Sequence, residues 1–373
     1  MLDLAWELEL FMSEMKRQEI EAALLESAFH YVDTEKHSTL YVGAEADAVR
    51  HLKDIEALVK KISLDSCEHF AVKFVLGRAV VTKTALGKSI VRYIELESEI
   101  QQCFPTHVFS PYVCAYFRAA RSHLEQFAAT PDDCLDGVLI WVDSMNNLVL
   151  TIREELRDQC FKLNVNRHRR NSNKNYSSLV GYIDSLFRVR SRLLVVRVDF
   201  GYSKRKALLS DVGGLGFDEV RKHREKLIVS IRNKLAPGAL LGHAWKLEYG
   251  LSKSYHYHCI FFLDGSLVRQ DIAWGDAFGR IWIDEITFGE GVSHNCNRRK
   301  EEYRYCGVGM ISYADEVGKN NLKKAAMYIT KVEYYVKLVT AGRFRTFGRG
   351  ELPRMDGVKK GRRRANCSDR KSC

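Results

Sequence analysis

The order of strand and helix signals between Leu193 and Ser312 constrains this chain more than any other feature. Leu193–Phe200 (LLVVRVDF) is a buried-strand run that turns to alternation at Arg197 and Asp199. Phe217–Leu235 is amphipathic, with Asp218 and Glu219 near its start, where acidic groups suit the helix dipole. Ala244–Tyr249 and Tyr255–Leu263 read as two strands joined by a short turn at Gly250–Ser254. Leu267–Glu285 reads as a helix despite Gly275 and Gly279, Tyr303–Ser312 as a fourth strand, and Asn320–Thr340 as a long closing helix. Strand, helix, strand, strand, helix, strand is the split β-α-β-β-α-β unit. The expected class is therefore α+β, with a ferredoxin- or RRM-like antiparallel sheet. Helices are expected on one face of that sheet, the other being left open, as in single-stranded nucleic-acid binders of this topology.

The rest of the chain divides around this unit. Residues 1–160 read as mostly helical, with helices over Leu4–Tyr31, Ala44–Ile62 and Leu135–Leu163. Arg167–Lys174 is polar, basic and rich in turn formers, and marks a connection before a helix at Ser177–Arg190. Past Arg343 the chain is basic and is expected to be loosely ordered. The boundaries that follow are 1–160, 161–345 and a basic tail at 346–373.

Charge is split in the same way. Residues 1–150 hold 14 Lys/Arg against 23 Asp/Glu, a net of −9, so a total of +11 leaves +20 for the remaining chain. Such a division points to a polyanion that meets only the second half. No apolar run of about 18 residues occurs, so no bilayer span is expected. The acidic N-terminus lacks the basic n-region of a signal peptide. The 10 cysteines include no C-x-x-C pair, which argues against a zinc ribbon or disulfide framework and for reduced thiols in a cytosolic compartment.

Chemistry concentrates in SYHYHCIFFL. Side chains alternate along a strand, so His256 and His258 share one face and Tyr257 takes the other. A tight hairpin brings Glu248 of WKLEYG beside them, with Trp245, Leu247 and Tyr249 facing away into the core. Two imidazoles and a carboxylate leave open positions for water or phosphate oxygens, as a catalytic ion needs. A lone H-x-H is more often a pair of exposed strand residues. The apolar run after it and Glu248 on the partner strand move the balance to a metal. An iron or cupin-type oxygenase also uses two His and a carboxylate, but Phe262 and Leu263 stand where a cupin wants its Glu. No H-E-x-x-H supports a zinc protease.

The second element is AAMYITKVEYYVK. At about 100° per residue, Tyr328, Lys331 and Tyr335 share one helix flank, with Lys324 a turn earlier. A phenol is a weak nucleophile at neutral pH because its pKa is near 10. A neighbouring lysine and a metal-polarised phosphate make it competent. Tyr328 taken alone reads as a core-flanking aromatic; its place directly after the fourth strand of a sheet bearing the His pair selects the nucleophile.

YHYHCIFF resembles the histidine–hydrophobe–histidine (HUH) motif of rolling-circle replication initiators and relaxases, and YITK resembles their Y-x-x-K motif. LLVVRVDFGY, WKLEYGLSKSYHYHCIFFLDGS, GVGMI, AAMYITK and RTFGRGELP are similar to stretches of the filamentous-phage (inovirus gene-two type) replication proteins and their prophage relatives. The likeness covers about residues 145–355. It implies an HUH nicking and joining nuclease domain at 161–345 behind a helical accessory domain. It further implies Mg2+ or Mn2+ held by Glu248, His256 and His258, with Asp199 behind them, and Tyr328 as nucleophile with Lys331 beside it. Tyr335 is the candidate second tyrosine. The implied substrate is single-stranded or melted origin DNA, with host helicase and polymerase as partners in a bacterial cytoplasm and no membrane. A relaxase or transposase using the same site, and a non-catalytic origin-binding regulator, are the alternatives.

Arg197, Lys246, Lys324, Arg343, Arg345 and Arg349 are candidate DNA contacts, each with a solvated basic surface as its plainer reading. An ion pair within the first strand is an equal reading for Arg197 and Asp199. Gly213, Gly214 and Gly216 lack Walker spacing and read as a loop rather than a nucleotide motor.

Overall fold

The computed structural model describes residues 29–33, 38–42, 44–104, 107–127, 134–203, 215–250, 254–331, 336–338 and 345–353. The first part of the chain runs β1 (Phe29–Asp33), β2 (Ser38–Val42), α1 (Ala44–Leu64), β3 (Phe70–Val75), β4 (Arg78–Lys83), α2 (Ala85–Glu95), α3 (Glu97–Cys103), β5 (His107–Phe109), α4 (Pro111–Phe127) and α5 (Leu135–Arg157). Then come α6 (Gln159–Val189), β6 (Arg192–Tyr202), α7 (Phe217–Lys234), β7 (Leu240–Gly250), β8 (Ser254–Asp264) and α8 (Asp271–Arg280). The last elements are β9 (Gly291–Asn295), β10 (Gly309–Ser312), α9 (Glu316–Lys331), β11 (Val336–Leu338) and β12 (Phe347–Arg349).

The N-terminal unit is built on helices, but it also contains two hairpins, β1–β2 and β3–β4, that the helical reading omits. Phe70–Val75 and Arg78–Lys83 are rich in β-branched and aromatic residues, and Gly77 takes the left-handed φ of +76° that the turn between them needs. The expected helix Leu4–Tyr31 falls almost wholly outside the described residues, and its last three positions belong to β1. The core of this unit joins Leu52, Ile55 and Val59 of α1, Tyr116 and Phe117 of α4, and Met145, Leu148 and Ile152 of α5. By length and composition alone α5 qualifies as a bilayer span, yet one stripe of it is buried in this core.

The main sheet has the order β10-β6-β8-β7-β12, with β9 also pairing β6, and every pair is antiparallel. Its four sequence-predicted strands thus lie as fourth, first, third, second, the order of a split β-α-β-β-α-β unit. One face packs Val196, Val198, Leu247, Tyr257 and Phe261 against Leu227 and Ile231 of α7 and Phe278 of α8. The other face is not open. Leu193, Val195, Ala244, Ile260 and Phe262 pack there against Leu179, Ile183 and Leu186 of α6 and Leu322, Ala326 and Ile329 of α9. The reason lies in the apolar runs Leu193–Val196 and Cys259–Leu263. Uninterrupted apolar strands present side chains to both faces, so both need cover. Only beyond these runs, where alternation sets in, does the second face turn polar.

Several boundaries differ from the sequence reading. Arg167–Lys174 is no connection but the solvated middle of α6. It contains no Gly or Pro, and the two ends of the helix are buried in different cores, Phe161 in the N-terminal one and Leu179–Phe187 in that of the sheet. A division at 160/161 therefore cuts a helix. The fourth strand shrinks to Gly309–Ser312, and Leu267–Glu285 becomes α8 followed by a π-helical turn at Ile281–Ile286. The last helix is described as far as Lys331, and Val336–Leu338, expected within it, is extended, because the sequence around it (Tyr334, Tyr335, Val336, Val339, Thr340) is mostly β-branched and aromatic. Phe347–Arg349, expected in a loose tail, is an edge strand on β7 with Phe347 opposite Lys246. The basic residues from Lys359 onward lie outside the described residues.

Candidate metal centre

The polar end of the second face is assembled by register. Glu248 on β7 stands opposite His256 on β8, and His258 stands opposite Asp199 on β6 and Lys246 on β7. One ligand atom each from Glu248, His256 and His258 falls within 4.8 Å of the other two. His256 Nε2 lies 3.6 Å and His258 Nε2 3.3 Å from Glu248 Oε2.

The other nitrogen of each ring faces an oxygen. His256 Nδ1 is 3.1 Å from the Ser254 carbonyl, which a left-handed φ of +55° at Ser254 accompanies. His258 Nδ1 is 2.9 Å from Asp199 Oδ1. An oxygen behind each Nδ1 leaves Nε2 as the lone-pair atom, the arrangement that orients metal-ligating histidines. His258 Nε2 is within ion-pair distance of the Glu248 carboxylate, yet does not meet hydrogen-bond geometry with it. A buried nitrogen left in that state is satisfied by a cation placed among the three ligand atoms, so the donor set fits a divalent ion.

Electrostatics favour the same centre. Burial opposes charge on His258, but the carboxylates of Asp199 and Glu248 outweigh it and hold the imidazolium up to about 9. Burial likewise opposes ionised Glu248 and Asp199, and His258 reverses this in both, keeping each carboxyl well below its usual range. Two anions closing on one buried imidazole make a strongly negative pocket, which a proton fills when no metal does. Mn2+ at a hundredfold excess over its Kd is expected to stabilise the fold by about 2.7 kcal/mol. A melting curve with and without EDTA checks this, and a chelator-insensitive Tm would count against the site.

The remaining candidates separate. Arg197 is largely buried, with Nε 3.7 Å from Asp199 Oδ1, so it belongs to the centre's charge balance. Lys246 is 2% exposed on the triad's face, too buried to serve as a surface DNA contact as the sequence reading had it; its strand is sealed by β12 on one side and β8 on the other. Lys324 Nζ sits over the Tyr305 ring at 3.4 Å. Arg349 donates to Ser178 Oγ at 2.9 Å and stacks over Tyr182, tying β12 to α6. Arg345 is exposed. Tyr328 and Lys331 lie on α9, but their side chains are outside the described residues, as are Tyr335 and Arg343 altogether. The backbone of α9 runs over the triad's face, since Ala326 and Ile329 pack with Ala244 and Ile260, which precede Lys246 and follow His258 by two residues.

Three contributors escape sequence reasoning. His294 on β9 stands opposite Asp199 and so belongs to the same face. Asn297, fully buried, accepts from the Arg197 amide at 2.8 Å and donates to the Val195 carbonyl and Asp271 Oδ2, both at 2.9 Å. It holds the chain after β9 against β6 where that strand turns polar. The Ser254 carbonyl is the third. A histidine within GVSHNC was the one local signal, and it has no partner in sequence. No family model, curated protein or solved structure matches the chain.

Proposed function

We propose that this chain is a metal-dependent DNA nicking and joining enzyme of the HUH type, with Tyr328 as nucleophile. The observation that carries the reading is the placement of α9, the helix bearing Tyr328 and Lys331, over the sheet face that carries Glu248, His256 and His258. The split β-α-β-β-α-β strand order and the net charge of +20 beyond residue 150 support it.

When bound, Mg2+ or Mn2+ supplies Lewis-acid polarisation of a non-bridging phosphate oxygen. The chain's own residues do the rest. Glu248, His256 and His258 would hold that ion, with Asp199 orienting the His258 ring. The Tyr328 oxygen attacks phosphorus, the P–O3′ bond breaks, and the phenolic proton leaves with the 3′-hydroxyl. The product is a 5′-phosphotyrosine and a free 3′-OH that a host polymerase can extend. In the reverse step a 3′-OH attacks the phosphotyrosine, the strand is closed and the phenol is restored. Lys331 neutralises phosphate charge. Phosphoryl transfer of this kind needs positioning and charge stabilisation above all, which a sparse site can provide. The substrate in this reading is single-stranded or melted origin DNA of a phage, prophage or satellite element replicated by a rolling circle, with host helicase and polymerase taking over in the bacterial cytoplasm.

The test uses full-length protein, Mn2+ and a random-sequence pool of single-stranded DNA. Denaturing gels should show a covalent protein–DNA adduct that depends on Mn2+, and mass spectrometry should place the nucleotide on Tyr328. Absence of any adduct across the pool at saturating Mn2+ would overturn the proposal.

A further inference from the structure

The N-terminal unit reaches the edge of the metal centre through one short strand. Among the described residues, β12 and the chain just before it bond the outer edge of β7 as far as Leu247, whose amide donates to the Thr346 carbonyl at 2.7 Å. Glu248 and Tyr249 lie past that cover. There His107 of β5 approaches: its ring centroid is 6.4 Å from that of Tyr249. On its other side His107 packs on Phe104, and Phe104 packs on Phe109, which packs in turn on Phe117 of α4, so the contact is backed by the N-terminal core. His107 Nδ1 is buried without a hydrogen-bond partner. Burial holds this imidazole down at about 4, with Glu248 acting to raise it and Lys246 to lower it, so it stands neutral within reach of both charges.

An edge of β5 is occupied by β11. Val336 pairs with Phe109, Lys337 with Val108 and Leu338 with His107. The chain therefore leaves the sheet unit at the end of α9, returns to the N-terminal unit at β11, and comes back to the sheet at β12. The stretch that carries Tyr328 is fixed at one end by Ile329 in the sheet core and, a few residues on, by β5.

We propose that β5 is a positioning element of the metal centre, buttressing the Glu248 end of β7 through His107 and fixing the chain that leaves the tyrosine helix through β11. The first half stands on the metal site alone; the second rests on the nuclease reading. Full-length His107→Ala is expected to weaken Mn2+ binding, measured by calorimetry, about tenfold, and His107→Asn, which keeps a donor for the Tyr249 backbone that the imidazole addresses, to recover most of it. Val108→Pro, at a half-exposed position that breaks the β5–β11 ladder, should leave Mn2+ affinity within about twofold while cutting adduct yield about tenfold or more with the random single-stranded pool. If Val108→Pro fails to fold by circular dichroism, the Val108→Cys/Lys337→Cys pair replaces it. The cross-link should then preserve the adduct rate when oxidised, and a loss on oxidation overturns the second half. Wild-type Mn2+ affinity in His107→Ala overturns the first half, and a wild-type adduct rate in Val108→Pro overturns the second. If wild type forms no adduct, the nuclease reading and the second half fall together, and the Mn2+ titration still decides the role of His107.

Discussion

Tyr328→Phe is expected to lower covalent DNA adduct formation by about a thousandfold or more, leaving Mn2+ binding and single-strand binding within about twofold. The substitution removes one oxygen and little else. Phenylalanine has the same helix propensity and nearly the same volume, so α9 keeps its packing. The readout is a denaturing gel for the adduct beside calorimetry for Mn2+ and anisotropy for DNA. Should the adduct persist, mass spectrometry would move the nucleophile to Tyr335 or Tyr334, and α9 would lose its catalytic role. Loss of DNA binding along with the adduct would mark Tyr328 as a contact rather than a nucleophile.

His258→Ala has the other large effect, and it has two parts. With Mn2+ present, the variant should show no measurable metal binding and no adduct, because the residue that both carboxylates address is gone. In metal-free protein, it should be less stable than wild type by about 3 kcal/mol, since Asp199 and Glu248 are left buried without their shared partner. The pH dependence has a definite sign. His258 is raised in the fold from 6.5 to about 9, so its contribution is complete below pH 6.5 and is lost as pH climbs through about 9. Denaturant melts of EDTA-treated protein should show the gap between wild type and variant closing over that window. A gap that does not change with pH would mean that His258 is neutral in the metal-free fold.

The centre was legible in sequence where it depends on local rules. Two strands with period-two alternation and a short connection dictate that Glu248 meets His256, and the register confirms the pairing. The strand order followed from counting signals. What the sequence hid is set by partners far along the chain. The second helical layer follows from α6, which precedes the sheet, and α9, which follows it. Neither announces which sheet face it will cover. His294, Asn297 and the Ser254 carbonyl each act through a contact that no spacing predicts. The extension of the last helix to Thr340 failed for a different reason: β-branched and aromatic residues near Val336 yield to strand pairing when a partner edge is offered. Arg167–Lys174 failed because polar residues in a helix exposed on all sides resemble a loop.

Strand β5 also fixes an order of events during synthesis. Its partner β11 lies more than two hundred residues later in the chain. At about 5–20 residues per second, β5 is translated on the order of tens of seconds before β11 exists. Through that interval the N-terminal unit carries an unpaired strand edge, while the sheet unit is being made behind it. Its closure is among the most non-local in the molecule, and such contacts form slowly because loop entropy must be overcome first. A chain truncated before Val336 would thus keep that edge open permanently, offering it to any extended segment nearby.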